Sequence, residues 1–175
     1  MNTNNWPTAR KMAADASNAI AKQAVMMFPD FLKEKDIITE EQYMWLKERL
    51  ENKSQYSSGY DVHLGEAVKG AAGIVAEVKS NYPCEGNSFG SHQKDKIKED
   101  LDHLTGEKLA KDGLNISGCY KFFVMLDDGN GEVREAIERL VKSYNKALKA
   151  KGRTSEVVIW GTRPLNTTDV FVVLL

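Results

Sequence analysis

Three charged residues have the types and the spacing of a catalytic site. Glu77 and Lys79 are two residues apart in the apolar run GIVAEVKS, so in a strand their side chains point to the same face. Asp61 begins another extended run sixteen residues earlier, and pairing of the two runs would bring all three side chains together. Two carboxylates form a hard-oxygen site suited to Mg²⁺. A lysine beside them orients an attacking water or stabilises developing charge, so the set predicts metal-assisted phosphodiester hydrolysis.

Two helices and a hairpin are predicted to position these residues. The alanine-rich segment from 7 to 28 predicts a first helix, with Pro7 in its first turn. Thr39 and Gln42 fit a capping box, which predicts a second helix that runs to about residue 50. The runs YDVHLGEAV and IVAEVKS, joined by a small-residue turn, predict a β-hairpin that carries Asp61 and Glu77.

The rest of the chain predicts alternating helices and strands. Ser91 is the expected cap of a third helix with an apolar stripe at Ile97, Leu101 and Leu104. A fourth helix is expected from about 131 to 151. The remaining strands are expected at YKFFVMLDD, EVVIWG and DVFVVLL. This order predicts one α/β domain over residues 1–175, with a mixed sheet flanked by helices. The N-terminal helical segment, about 7–50, is expected to pack on this domain or to dimerise through it.

Composition limits the classes of partner and compartment. The 175 residues carry a net charge of −1, so a nucleic-acid partner must be held by a local basic patch. No apolar run is long enough to span a bilayer, and the start lacks the apolar region of a signal peptide. Two cysteines, Cys84 and Cys119, form no disulfide framework or metal spacing. We therefore expect a cytoplasmic protein with no membrane partner.

Asp61, followed by Glu77-Val78-Lys79 on a strand after a small-residue turn, resembles the PD-(D/E)XK nuclease superfamily, the fold of many restriction endonucleases. The family core is a helix, three antiparallel or mixed strands, a helix and a strand, which would correspond to residues from about 40 to 126. Tyr60 stands where the family motif has a proline.

The resemblance implies a restriction-endonuclease-like fold and an Mg²⁺-dependent endonuclease, most specifically a type II restriction enzyme. Asp61 and Glu77 would bind the metal, for which Mn²⁺ can substitute. Lys79 would be the catalytic lysine, and Gln93, on the helix after the motif, would help to form the site. The partner would be double-stranded DNA. Because each subunit would cut one strand, a homodimer is expected, with the alanine and methionine stripe of the first helix as its interface.

Two other functions are compatible with the same residues. One is a DNA- or protein-binding module that keeps the fold without catalysis, with the three charged residues forming only a polar sheet edge. The other is a nuclease that acts on DNA structures during repair or recombination and differs from a restriction enzyme only in its substrate.

Several further residues are candidates for accessory roles. Glu66 competes with Asp61 as the first metal acid if the hairpin register is shorter. Glu48 is a candidate for a further acid, and His63 shares the face of Asp61 in an alternating strand. DNA-contacting candidates lie in the glycine-containing loop and on the fourth helix: Asn87, Ser88, Ser91, Lys142, Lys146 and Lys149.

Overall fold

The computed structural model describes residues 6–53, 58–83, 87–127 and 129–175. Cys84 and Asp128, which the sequence predictions include, lie outside these ranges. Within them the chain forms four α-helices and one five-stranded sheet. This confirms the predicted α/β class and the predicted order of helix, helix, hairpin, helix, strand, helix, strand, strand.

The first two helices form a pair that precedes the sheet. Helix α1 spans Trp6–Glu34 and α2 spans Glu40–Asn52. The capping box is confirmed, because the Thr39 hydroxyl accepts from the backbone N–H of Gln42 and the Gln42 side chain accepts from the backbone N–H of Thr39.

Helix α1 continues beyond its predicted end at residue 28. It includes Pro29 in its interior, which costs a helix about 3 kcal/mol. Phe28, Phe31 and Leu32 are buried around it, and each large apolar side chain contributes roughly 1.5–3 kcal/mol on burial. The buried face of the last turns therefore outweighs the proline.

The sheet is mixed, with one antiparallel edge. Its strands lie in the order β1-β2-β3-β5-β4. Strand β1 pairs antiparallel with β2, whereas β2 with β3, β3 with β5, and β5 with β4 are parallel. The bounds are β1 Val62–Leu64, β2 Ile74–Lys79, β3 Tyr120–Met125, β4 Val157–Ile159 and β5 Val170–Leu174.

Helices cover both faces of the sheet. Helices α1 and α2 pack on one face, where Phe28 contacts Phe122 edge-on with ring centroids 5.2 Å apart. Helix α3 (Ser91–Thr105) and helix α4 (Glu132–Ala150) cover the other face. Because strand side chains alternate, Val75 and Glu77 of β2 point toward α3, while Ala76 and Val78 point toward α1.

Two further predicted boundaries were wrong, and the number of strands differs from that of the family. Strand β1 ends at Leu64, so Glu66 lies outside it, in an exposed loop. Helix α3 begins at Ser91, but its cap position is Gly90. Between α2 and α3 the described residues form two strands, where the family resemblance implies three; a single bridge, Val68 to Ala71, adds to them.

The N-terminal half of α1 leaves much of its apolar surface uncovered. Ala24 is fully buried, but Met12 is 67% exposed, Ile20 49% and Met27 38%. Of the stripe residues whose side chains the structure describes, Ala24 is buried, and Met12, Ala16, Ile20 and Met27 are exposed. Across the described ranges, no helix is long and apolar enough to cross a membrane.

Candidate functional site

Asp61 and Glu77 lie beside each other because of the hairpin register. Val62 pairs with Ala76, and extending this register by one residue places Asp61 opposite Glu77 on the α3 side. A carboxylate oxygen of Asp61 accepts a hydrogen bond from the backbone N–H of Val78 at 2.8 Å. The Lys53 ammonium donates to the carbonyl of Asp61 at 3.0 Å. The sequence prediction that a hairpin joins these two acids is therefore confirmed in its geometry.

Glu77 is a buried carboxylate with an incompletely satisfied oxygen. It is 1% exposed, and the Lys111 ammonium lies 2.7 Å from its Oε1. That contact brings the charges together without hydrogen-bond geometry, so Oε1 accepts no hydrogen bond from the described residues. A buried carboxylate oxygen in this condition is costly, so Glu77 is a candidate for a functional group.

Asp100 of α3 completes a cluster of charges around Glu77. The Lys79 ammonium lies 2.8 Å from one Asp100 oxygen, and the Lys111 ammonium lies 3.0 Å from the other. Asp100 is only 6% exposed. We call these five residues the acid–lysine cluster: Asp61, Glu77, Lys79, Asp100 and Lys111.

The cluster holds three carboxylates and two ammonium groups. Burial raises the pKa of Glu77 from its ordinary 4.5 to about 8, and the charges of Asp61 and Asp100 raise it further than Lys111 lowers it. Burial lowers the pKa of Lys111, but its contact with Glu77 and the charges of Glu77 and Asp100 outweigh burial, so its pKa is raised. Lys111 therefore keeps its proton, and the Glu77 carboxyl takes up a proton more readily than an ordinary glutamate.

Sequence reasoning missed Asp100 and Lys111. Asp100 had a usable signal, because it lies three residues after Ile97 and four before Leu104, within the apolar stripe of α3. A carboxylate on a buried stripe needs a partner. Lys111 had no such signal, since it lies in a 3₁₀ turn, Lys111–Gly113, outside any periodic pattern.

Gln93 lies at the start of α3 and connects this helix to the loop after β2. Its side-chain oxygen accepts from the backbone N–H of Gly90 at 3.0 Å, and its amide donates to the carbonyl of Tyr82 at 3.2 Å. These bonds position the loop that follows the motif strand. The contacts of Gln93 are thus with this loop, two helical turns before Asp100.

The other acids predicted for the site lie apart from it. Glu66 is exposed beyond Leu64, at the far end of the hairpin from Glu77. Glu48 lies on the exposed face of α2. The register therefore places Asp61, and not Glu66, next to Glu77.

A cleft of about 390 Å³ opens beside Asp61. Its walls include the cationic side chains of Arg49 and Lys53 from the end of α2 and the half-buried ring of His63 from β1. Burial lowers the pKa of His63, and the charges of Arg49 and Lys53 lower it further. The cleft thus presents positive charge next to one acid of the cluster.

The candidate DNA-contacting residues fall on two surfaces. Asn87 donates from its amide to Glu135 of α4, so the loop after β2 is held against α4. Ser88 lines a groove of about 220 Å³ between α3 and α4, together with Lys94, Lys98 and Arg139. Ser91 is exposed at the start of α3, and the predicted lysines are exposed on α4: Lys142, Lys146 and Lys149.

The chemistry of the cluster fits a hard divalent cation, although the side chains are not arranged around one. The donors are carboxylate oxygens, and Oε1 of Glu77 is buried without a hydrogen bond. No group of three metal-ligating side chains is pre-assembled within the described ranges. The ion contacts of Lys111 with Glu77 and Asp100 account for this, since an ammonium already lies between two of the acids.

Comparison of the chain with protein-family models, with curated proteins and with solved structures gave no significant match. A function for this chain must therefore be inferred from the arrangement of its own side chains.

Proposed function

We propose that the protein is a metal-dependent endonuclease that hydrolyses DNA phosphodiester bonds. The observation that supports this most is Glu77, a buried carboxylate with a pKa of about 8 and an oxygen without a hydrogen bond, beside Asp61 and Lys79. Perturbed acids held beside a lysine and a cleft are typical of catalytic sites. The most specific form of the proposal is a type II restriction endonuclease with a restriction-endonuclease-like fold.

In this proposal Asp61 and Glu77 hold Mg²⁺, or Mn²⁺ in its place. The bound ion would stabilise negative charge on the phosphoryl oxygens. Asp61 is kept in place by its bond from the N–H of Val78. Lys79 directs its ammonium toward the cluster, where Asp100 positions it at 2.8 Å. From there Lys79 donates a hydrogen bond to the attacking water or to a phosphoryl oxygen as its charge grows.

The substrate surface would begin at the cleft beside Asp61. Arg49 and Lys53 line this cleft, and cationic groups there would neutralise the phosphates that flank the scissile bond. The basic face of α4, with Lys142, Lys146 and Lys149, would add contacts farther along the duplex. Cleavage of both strands would require two subunits, and the exposed apolar residues of α1, Met12, Ile20 and Met27, are the surface we assign to that homodimer.

One observation favours a second candidate, a binding module without catalysis. Lys79 and Lys111 are both engaged in ion contacts with acids of the cluster. In a binding module these contacts would be permanent and would serve only to hold α3 and the 3₁₀ turn against β2.

The test is cleavage of duplex DNA in Mg²⁺ by the wild type and by Glu77→Ala and Lys79→Ala. We expect each variant to lose at least ~100-fold in rate, as for removal of a group that stabilises developing charge. Glu66→Ala is the matched control, since this acid is exposed in the same hairpin; it should cleave like the wild type. Circular dichroism establishes that each variant is folded.

The products separate the candidate functions. Discrete fragments from the wild type would support a restriction enzyme, and selective cleavage of branched or damaged DNA would support a structure-selective nuclease. A folded wild type that cleaves none of these substrates in Mg²⁺ or Mn²⁺ would overturn the nuclease proposal in favour of the binding module.

A further inference from the structure

The ammonium group of Lys111 lies between two buried carboxylates of the cluster, those of Glu77 and Asp100. It lies 2.7 Å from Glu77 and 3.0 Å from Asp100. The side chain is 24% exposed, while the two carboxylate side chains are 2% and 9% exposed. A single flexible lysine therefore reaches in from the solvent side and contacts two buried acids.

The backbone that carries Lys111 is a short turn in the connection between α3 and β3. The turn is closed by backbone bonds of 3.2–3.3 Å, from Gly113 to Ala110 and from Leu114 to Lys111. Asp112 adopts a left-handed conformation, with φ 54°. Leu109, two residues before Lys111, is 91% exposed. Lys111 is thus presented by a surface turn and not by the sheet or the helices that hold the acids.

The fit of Lys111 to this position is incomplete. Its contact with Oε1 of Glu77 lacks hydrogen-bond geometry. One ammonium also brings one positive charge to a place bounded by three carboxylates, where Lys79 is already paired with Asp100. A divalent cation brings two charges and prefers carboxylate oxygens over other ligands.

We propose that Lys111 is an internal cation that holds Glu77 and Asp100 together in the metal-free protein and competes with the divalent metal for Glu77. The inference rests on the proposed function, because the metal site is taken from it. The proposed role of Lys111 is opposite to that of a residue that supports the metal site. Loss of the Lys111 charge strengthens metal binding, whereas loss of a supporting residue would weaken it. The same loss makes the metal-free protein less stable, since two acids then face each other without this cation.

The first test is a calorimetric titration with Mn²⁺ alone, without DNA, of the wild type, Lys111→Met and Lys108→Met. We expect Lys111→Met to bind Mn²⁺ about tenfold or more tightly than the wild type. Lys108 is the matched control, because it lies near Lys111 in the sequence and pairs on the surface with Glu99; its variant should bind Mn²⁺ like the wild type. Equal or weaker binding by folded Lys111→Met would overturn the proposal.

The second test uses the wild type and remains decisive if Lys111→Met does not fold. Lysine acetylation by a water-soluble ester is measured residue by residue with mass spectrometry, with and without saturating Mn²⁺. Displacement by the metal should raise the labelling of Lys111 several-fold and leave Lys108 unchanged. Unchanged or reduced labelling of Lys111 would refute the competition.

The outcomes keep this inference apart from the proposed function. Metal binding that responds to Lys111, together with a lack of DNA cleavage, would support the competition and reject the nuclease. Metal binding and cleavage with no response to Lys111 would reject only the competition. If neither the wild type nor Lys111→Met binds Mn²⁺, the competition is rejected together with the metal site.

Discussion

Two buried carboxylates in this molecule have opposite surroundings. Glu77 is 1% exposed and Asp169 is 5% exposed. Asp169 accepts three hydrogen bonds, from the backbone N–H of Glu156 at 2.9 Å, from the Arg163 guanidinium at 3.1 Å and from the Asn166 amide at 3.0 Å. Glu77 has an ion contact with Lys111 and an oxygen without a hydrogen bond. Both carboxylates are shielded from solvent, but Glu77 lies deeper in the protein than Asp169, and their hydrogen-bond donors differ as well.

The pKa values follow both the depth of burial and the donors. Burial would raise the pKa of Asp169, but the bonds from Asn166, the Glu156 backbone and Arg163 outweigh it, so this pKa is lowered. Burial raises the pKa of Glu77 to about 8, and Asp61 and Asp100 reinforce the effect. The Asp169 carboxylate receives its hydrogen bonds from within the fold, and these bonds hold the connection between β4 and β5. Glu77 lacks such a set of donors, which makes it a candidate functional group.

The largest expected difference between the two acids is in stability. Asp169→Ala should lower the free energy of unfolding by roughly 4 kcal/mol, because it removes three hydrogen bonds at once and leaves the backbone N–H of Glu156 without its acceptor. Glu77→Gln should leave this free energy unchanged or raise it, because at pH 7 the folded Glu77 carboxyl must carry a proton that the unfolded chain does not, and glutamine has no such cost. Urea denaturation at pH 7 without metal measures both. Equal losses in the two variants would refute the contrast.

The next effect is a dependence of stability on pH that belongs to Glu77. The folded carboxyl keeps its proton up to about pH 8, whereas the unfolded carboxyl loses it near 4.5. Its contribution to stability is therefore complete below pH 4.5 and is lost as the pH rises toward 8. Between pH 5 and 8 the free energy of unfolding should fall by roughly 3 kcal/mol more in the wild type than in Glu77→Gln. Parallel curves for the two proteins would contradict the prediction.

The smallest expected change in stability follows from the loss of one hydrogen-bond donor to Asp169. Arg163→Met removes one of the three bonds to Asp169 from a side chain that is 42% exposed. The free energy of unfolding should fall by about 1 kcal/mol, because two donors remain. Arg134→Met is the control, since Arg134 is exposed and lies 3.9 Å from Glu138; its effect should be within about 0.5 kcal/mol. Thermal denaturation of both variants, compared with the wild type, measures the difference.

Local patterns were enough to predict the α/β class and three of the five residues of the cluster. The hairpin brings Asp61 to Glu77, and alternation along β2 puts Lys79 on the same face, so both follow from spacing within one short segment. The capping box at Thr39 was equally local. The nuclease activity, the metal and the DNA partner remain predictions.

The places of the other two residues of the cluster, Asp100 and Lys111, depend on contacts between distant segments. Asp100 meets Lys79 because α3 packs back on β2, and no local rule fixes the depth at which the helix lies. Lys111 reaches Glu77 from an irregular turn whose path depends on how α3 ends and β3 begins. The prediction that Glu66 belongs to β1 was wrong for a related reason. The strand pattern of the sequence runs past Leu64, but β2 begins only at Ile74, so the residues after Leu64 have no strand to pair with.

The position of β5 has a consequence for synthesis of the protein. This strand lies between β3 and β4, although it follows both in the chain. At translation rates of about 5–20 residues per second, β3 would wait roughly 2 to 9 seconds for its second neighbour. During that time a nascent chain presents an apolar, unpaired strand edge, the kind of surface that promotes aggregation and recruits chaperones. Yield in the cell should therefore depend on how quickly the ribosome passes from residue 125 to residue 174.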